Sequence, residues 1–123
     1  MSPLQGFVEP AVHHGTLNAM FLPAVVRFNA AAESVQRERR MERMAHAMGL
    51  GEIHGAGPAA EAIAQAITAM NARLGLPKGL AEMGVEAAWF DKIIEGAMAD
   101  HCHKTNPRLA TVQEYREMLD ASM

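Results

Sequence analysis

With one cysteine, Cys102, among 123 residues, the chain can form no intrachain disulfide. Its stability must come from a packed core, and a reducing, cytoplasmic setting is expected. Aromatic residues make up only 5% of the chain. No segment sustains the apolar and polar alternation of a half-buried strand, so a sheet is not expected. Long apolar runs are also missing, because the longest are broken by Pro23 or by charged residues, and no membrane span is expected. No basic region followed by an apolar run marks a signal peptide at the N-terminus. Eleven basic residues stand against fourteen acidic ones, a formal charge of -3. Without a concentrated basic face, nucleic acid is not an expected partner. The one basic run, Arg37 to Arg43, is interleaved with Glu38 and Glu42 and reads as a solvated helix face.

Half of the residues are hydrophobic, and ten are methionine. Alanine and methionine outweigh β-branched and aromatic types, which favours packed helices with methionine as adaptable core filler. The length suits a single α-helical domain over residues 1–123, large enough to bury a core without staples. The expected architecture is all-α, a compact bundle of about five helices.

The first helix is expected from Gly15 to about Ala31, buried nearly all round by Leu17, Met20, Phe21, Leu22, Val25, Val26 and Phe28, and bent at Pro23. Ser34 is expected to cap a second, with Met41, Met44, Ala45 and Met48 on its inner stripe and Gly49 just past its end. A glycine-rich loop, Gly51 to Gly57, precedes a third helix with Pro58 in its first turn, an inner stripe of Ile63, Ile67, Met70 and Leu74, and Gly75 at its end. A connector from Leu76-Pro77 to Gly84-Val85 holds one short helical turn. The fourth helix, about Glu86 to Asp100, buries Phe90, Ile93, Ile94, Ala97 and Met98. Asn106-Pro107 breaks the chain, and Thr111-Val112-Gln113-Glu114 is a capping box for a last helix with Val112, Tyr115, Met118 and Leu119 inside.

Two clusters carry candidate chemistry. His13-His14-Gly15 opens the first helix, where a glycine lets backbone approach a ligand closely. Adjacent side chains diverge, so only one of the two histidines suits a metal. His101-Cys102-His103 ends the fourth helix. Residues two apart point to nearly opposite sides of a helix, which makes a poor metal clamp, and their placement at a helix C-terminus is explained equally by the helix dipole. Arg108 is expected to anchor the Asn-Pro turn, and His46 and His54 to be isolated and exposed.

The run from His13 to Asn29, His-His-Gly-x-x-Asn-Ala-x-x-Leu-Pro-x-x-x-Arg-Phe-Asn, resembles the iron-containing (group III) alcohol dehydrogenases, including the maleylacetate reductases. Leu74-Gly75-Leu76-Pro77, Gly84-Val85, Ala97 to Asp100 and Asn106-Pro107-Arg108 follow in that family's order. The resemblance covers the helical C-terminal domain, of the dehydroquinate synthase-like type, and so only the closing third of a full-length member. In such enzymes a metal held by an aspartate and three histidines sits between this domain and an N-terminal NAD(P)-binding domain. It polarises the alcohol or carbonyl oxygen while hydride passes to or from the nicotinamide.

The resemblance implies that His14 is a metal ligand, for Fe2+ or Zn2+, and that Asn18, His101, Cys102 and His103 line the substrate cleft. It also implies that the site is incomplete here. The nucleotide-binding domain and its glycine-rich loop are absent, and Met1-Ser2-Pro3-Leu4-Gln5-Gly6 resembles a ligand-bearing stretch without its histidine. The isolated chain is therefore expected to bind no NAD(P) and oxidise no alcohol, and to complete an oxidoreductase site with a nucleotide-binding partner chain. Exposed apolar surface on the cleft face would favour a homo-oligomer. The alternatives are a non-catalytic helical binding or oligomerisation module and a small metal sensor that uses both histidine clusters.

Overall fold

The computed structural model describes the chain from His14 to Met123, with side chains described for all of these residues except His14, Gly15, His101 and Cys102. Seven α-helices follow in order: α1 His14–Asn29, α2 Glu33–Arg37, α3 Arg40–Ala47, α4 Ala56–Arg73, α5 Phe90–Ala99, α6 His101–Thr105 and α7 Val112–Ser122. Single 3-10 turns span Leu80–Met83 and Ala87–Trp89, and no strand occurs among the described residues. No described helix is long and apolar enough to cross a membrane.

The whole bundle is built around α1. Its Leu17 and Met20 pack with Leu80, Val85, Phe90, Ile93, Ile94 and Leu119. Val26, two turns on, joins Val35, Met41, Ala45, Ala59, Ala60 and Ile63, and Ala24 and Phe28 meet Ala110 and Met118. One helix thus touches all three apolar clusters, as its nearly unbroken apolar sequence requires. Each fully buried leucine or phenylalanine contributes about 1.5–3 kcal/mol.

Pro23 lies inside α1, and the helix runs through it. A proline has no N–H, so the carbonyl four residues earlier, that of Ala19, loses its helical donor. The side-chain amide of Asn71 on α4 donates to that carbonyl at 2.9 Å. The proline thereby converts a bond within α1 into one between α1 and α4.

The structure corrects the expected second helix, which is two. The chain turns at Arg39, the only described non-glycine residue with positive φ, at 52°. Ala32, with no side-chain bond, occupies the cap position expected for Ser34, which sits inside α2. Ion pairs within the turn, Glu38 to Arg40 at 2.8 Å and Glu42 to Arg39 at 3.4 Å, accompany this break. The basic run is solvated as expected. The turn re-aims α3 so that only Met41 and Ala45 are buried, while Met44 and Met48 are exposed. Gly49, at φ 80°, ends α3 as expected. Its N–H donates to His46 and that of Leu50 to Ala45, the double bond pattern of a left-handed helix stop.

On α4 the expected face is right but its extent is not. Ala59, Ala60, Ile63 and Ala64 are buried, Ile67 is half-buried, and Met70 and Leu74 are exposed. The small residues of the first turns sit beneath both α1 and α3, whereas only α1 follows α4 toward its end, through Asn71. The expected fourth helix is a 3-10 turn followed by α5, and α6 is separate from it, because the C-cap Asp100 is extended at ψ 140°. Gly79 is held by close approach. A Cβ there would lie 2.3 Å from the Met123 carbonyl oxygen, which also accepts from the Ala81 N–H.

Replacing Asn71 with alanine leaves the Ala19 carbonyl without its side-chain donor and is expected to cost about 1–2 kcal/mol. In a Pro23→Ala background residue 23 regains an N–H that reaches Ala19, so the cost of Asn71→Ala should shrink by at least half. Urea titration of the four chains of this double-mutant cycle measures the coupling. Equal costs in both backgrounds would contradict the compensation.

Candidate functional site at the α1, α6 and α7 junction

His14 is the first residue of α1, and Asn18, one turn later, is exposed. Phe21, Val25 and Phe28 continue this register at spacings of three and four, so the five positions share one helix face. The three apolar members line a cavity of about 130 Å3 together with His103 of α6, Asn106, and Tyr115 and Met118 of α7. The face that begins at the candidate ligand thus leads down to the histidine-cysteine segment.

His103 is buried, with its Nδ1 2.8 Å from the Tyr115 hydroxyl in a hydrogen bond and the two ring centroids 5.6 Å apart. Its ring packs against Tyr115 of α7 and forms part of the lining of that cavity. His101 and Cys102 form the start of α6. His13 lies outside the described residues.

The two landmark tripeptides of the sequence, Arg27-Phe28-Asn29 and Asn106-Pro107-Arg108, meet in space. The Asn29 and Asn106 side-chain amides donate to each other's oxygens, at 3.2 and 2.6 Å. Asn106 also donates to the Arg108 carbonyl at 2.8 Å. The Arg108 guanidinium lies 4.1 Å over the Phe28 ring, donates to the Phe28 carbonyl at 3.0 Å and pairs with the Glu114 carboxylate. Arg108 therefore ties the Asn-Pro turn to the last turn of α1, where helix carbonyls have no partner within the helix. Glu114 and Thr111 complete the expected capping box, with bonds of 3.0 and 3.2 Å. Val112, placed inside by the periodicity, is instead 51% exposed, and Ser122 is buried.

Sequence reasoning missed Tyr115 as the partner of His103 and the reciprocal amide pair. Neither has a local signature, since Asn29 and Asn106 are 77 positions apart. His46 and His54 are exposed as expected but not isolated. They line one surface cavity with Glu38, Arg39, Glu42, Arg43, Glu52 and Ile53. Arg27 and Glu61 pair at 2.8 Å between α1 and α4, which raises the arginine pKa and lowers the glutamate's. Exposed as it is, the pair is screened by solvent and contributes little to stability. Among the described residues no three His, Cys, Asp or Glu side chains gather to hold a metal ion. The described side chains alone therefore do not fit a complete metal centre.

Among the described residues the chain is a strand-free helical bundle in which an Asn-Pro-Arg turn locks onto the end of a proline-containing central helix, a helical domain of the dehydrogenase type. Residues 6–123 match the model of the Fe-containing alcohol dehydrogenase family, C-terminal, and the chain belongs to that family. It is 53% identical over 112 residues to the 4-hydroxybutyrate dehydrogenase of Cupriavidus necator, covering 91% of this chain and 28% of that protein. It is 36% identical over 112 residues to the NAD-dependent methanol dehydrogenase of Bacillus methanolicus, covering 88% of this chain and 28% of that protein. A crystal structure of a 1,3-propanediol oxidoreductase superposes with a TM-score of 0.83 at 30% identity, over 98% of this chain and 30% of that one. The chain thus spans under a third of the length of these relatives.

The Glu114 carboxyl is held below the usual carboxylate range, first by the Thr111 backbone N–H and further by the Thr111 hydroxyl and the Arg108 charge, against an opposing effect of burial. A depressed folded-state pKa contributes stability above the ordinary carboxylate pKa, and that contribution is lost as pH falls through the folded value. Glu114→Gln is therefore expected to be less stable than the unaltered chain near neutral pH. The gap should close as pH falls below about 4. Urea midpoints of both chains across that range test this, and a pH-independent gap would refute the electrostatic origin.

Proposed function

We propose that the chain is the metal-facing and substrate-facing helical part of an NAD(P)-linked oxidoreductase whose substrate is a short ω-hydroxy acid of the 4-hydroxybutyrate type. The observation that carries this reading is the 53% identity to a 4-hydroxybutyrate dehydrogenase across 91% of the chain, against 36% for a methanol dehydrogenase and 34% for a 1,3-propanediol dehydrogenase. On this reading the His14 imidazole is one ligand of an iron or zinc ion. Asn18, one turn along the same face, meets the substrate, and the start of α6 closes the cleft from the other side.

The remaining ligands and the whole NAD(P) site come from a nucleotide-binding domain, on the same polypeptide or on a partner chain. Residues 14–123 alone bind no nucleotide and oxidise no alcohol. Exposed apolar side chains such as Leu22, Leu109 and Val112 support burial against that domain or against a second copy.

Joining the chain to the nucleotide-binding portion of the Cupriavidus necator enzyme should yield NAD reduction with 4-hydroxybutyrate in preference to methanol or 1,3-propanediol. The unjoined chain should give none. His14→Ala in the joined protein should lower kcat/KM by about a thousandfold or more, roughly 4 kcal/mol, and lower the bound metal in parallel. Alcohol oxidation by the unjoined chain, or full activity in His14→Ala, would overturn the proposal.

A further inference from the structure

The His103 and Tyr115 pair has no part in the reading above, yet it is the buried polar contact between α6 and the last helix. Asn106 is tied to Asn29 in the last turn of α1. His103, three residues earlier, shares a cavity with Val25 and Phe21, about one and two turns further up α1. Going back from Asn106 to His101, the chain climbs toward the end of α1 that begins with His14. A five-residue helix has little stability of its own. Its position must come from what grips it, and two of those contacts are the reciprocal amide pair beyond one end and the His103 Nδ1 to Tyr115 hydroxyl bond at 2.8 Å in the middle.

We infer that His103 and Tyr115 are positioning residues: their buried hydrogen bond sets the placement of the first turn of α6, and with it Cys102, at the substrate side of the cleft. The inference rests on the dehydrogenase reading for where that cleft is, but not for whether the bond holds α6. An imidazole suits the task because its ring can lie among the apolar residues that line the cavity while one ring nitrogen engages the phenol.

Cys102 is the only cysteine of the chain, so thiol labelling with an uncharged reagent reads this one place. In the full chain, Tyr115→Phe removes only the hydroxyl. It should raise the Cys102 labelling rate at least threefold and speed amide exchange in α6, including the His103 N–H that bonds Asp100, while α7 exchange is unchanged. His103→Asn, which can present a nitrogen or oxygen near the Nδ1 position, should restore both toward the original values in comparison with His103→Phe. Labelling and α6 exchange unchanged in a folded Tyr115→Phe chain would overturn the inference. So would equal acceleration in α6 and α7, or failure of both Tyr115→Phe and His103→Phe to fold, since either assigns the pair to general stability. Accelerated labelling in a chain whose joined form proves inactive toward alcohols would sink the dehydrogenase reading and leave the positioning role intact.

Discussion

A buried helix with a proline in its middle must find an outside donor for one carbonyl, and in this domain the donor is Asn71. The bond from its amide to Ala19 does more than satisfy α1. It fixes α4 against α1 at the level where the apolar clusters of the two ends of α1 separate, one under the 3-10 turn and α5, the other under α2 and α3. An ordinary helix in that place would keep its hydrogen bonds to itself and leave its level along the neighbour to apolar packing alone. The proline adds a directional constraint, because any shift of α4 along α1 would strand both the carbonyl and the amide.

With α1 fixed on its α4 side, its opposite face is available to organise the junction. Phe28 and Asn29 at its end receive Arg108 and Asn106, so the turn between α6 and α7 is built directly on the helix terminus. That turn sets where α7 begins, which the Thr111 and Glu114 cap makes definite, and α7 in turn supplies Tyr115 to His103. The chain of dependence runs from a backbone deficit in α1 to the placement of a short helix 80 residues later. Most of its links are hydrogen bonds of half-buried amide, hydroxyl and guanidinium groups, where directional geometry counts for more than area.

Much of the fold was legible because it follows from periodicity and from residues with strong local preferences. The absence of strands among the described residues, the core face of α1, the capping box, the helix stops at Gly49 and Gly75, and the inner face of α5 all belong to this class, although Leu22, expected inside with the rest of α1, is exposed. The failures lie where a local signal had a tertiary competitor. Ser34 is a good cap, but the chain enters α2 earlier, at Ala32, and a left-handed Arg39 then rotates α3 so that Met44 and Met48 leave the core. Met70 and Leu74 lie on the correct face of α4, beyond the point where α3 covers it. Periodicity identifies a face; it carries no information on how far a neighbour extends along it. The site divided in the same way. Its landmark motifs were visible, but what they do together, the reciprocal amides and the arginine over Phe28, required contacts across most of the chain.

The polar residues of α1 show why such a domain can be recognised without being complete. Structural demands account for Pro23 with Asn71 and for Asn29 with Asn106, and Arg27 with Glu61 is a solvated pair. Asn18 is exposed near the start of the same helix. The positions by which α1 is recognised in the sequence, Pro23 and the Arg27-Phe28-Asn29 run, are thus tied by bonds to α4 and to the Asn106 turn. The motif therefore records how the helical domain packs on itself, which is why less than a third of a relative's length still carries the family's signature.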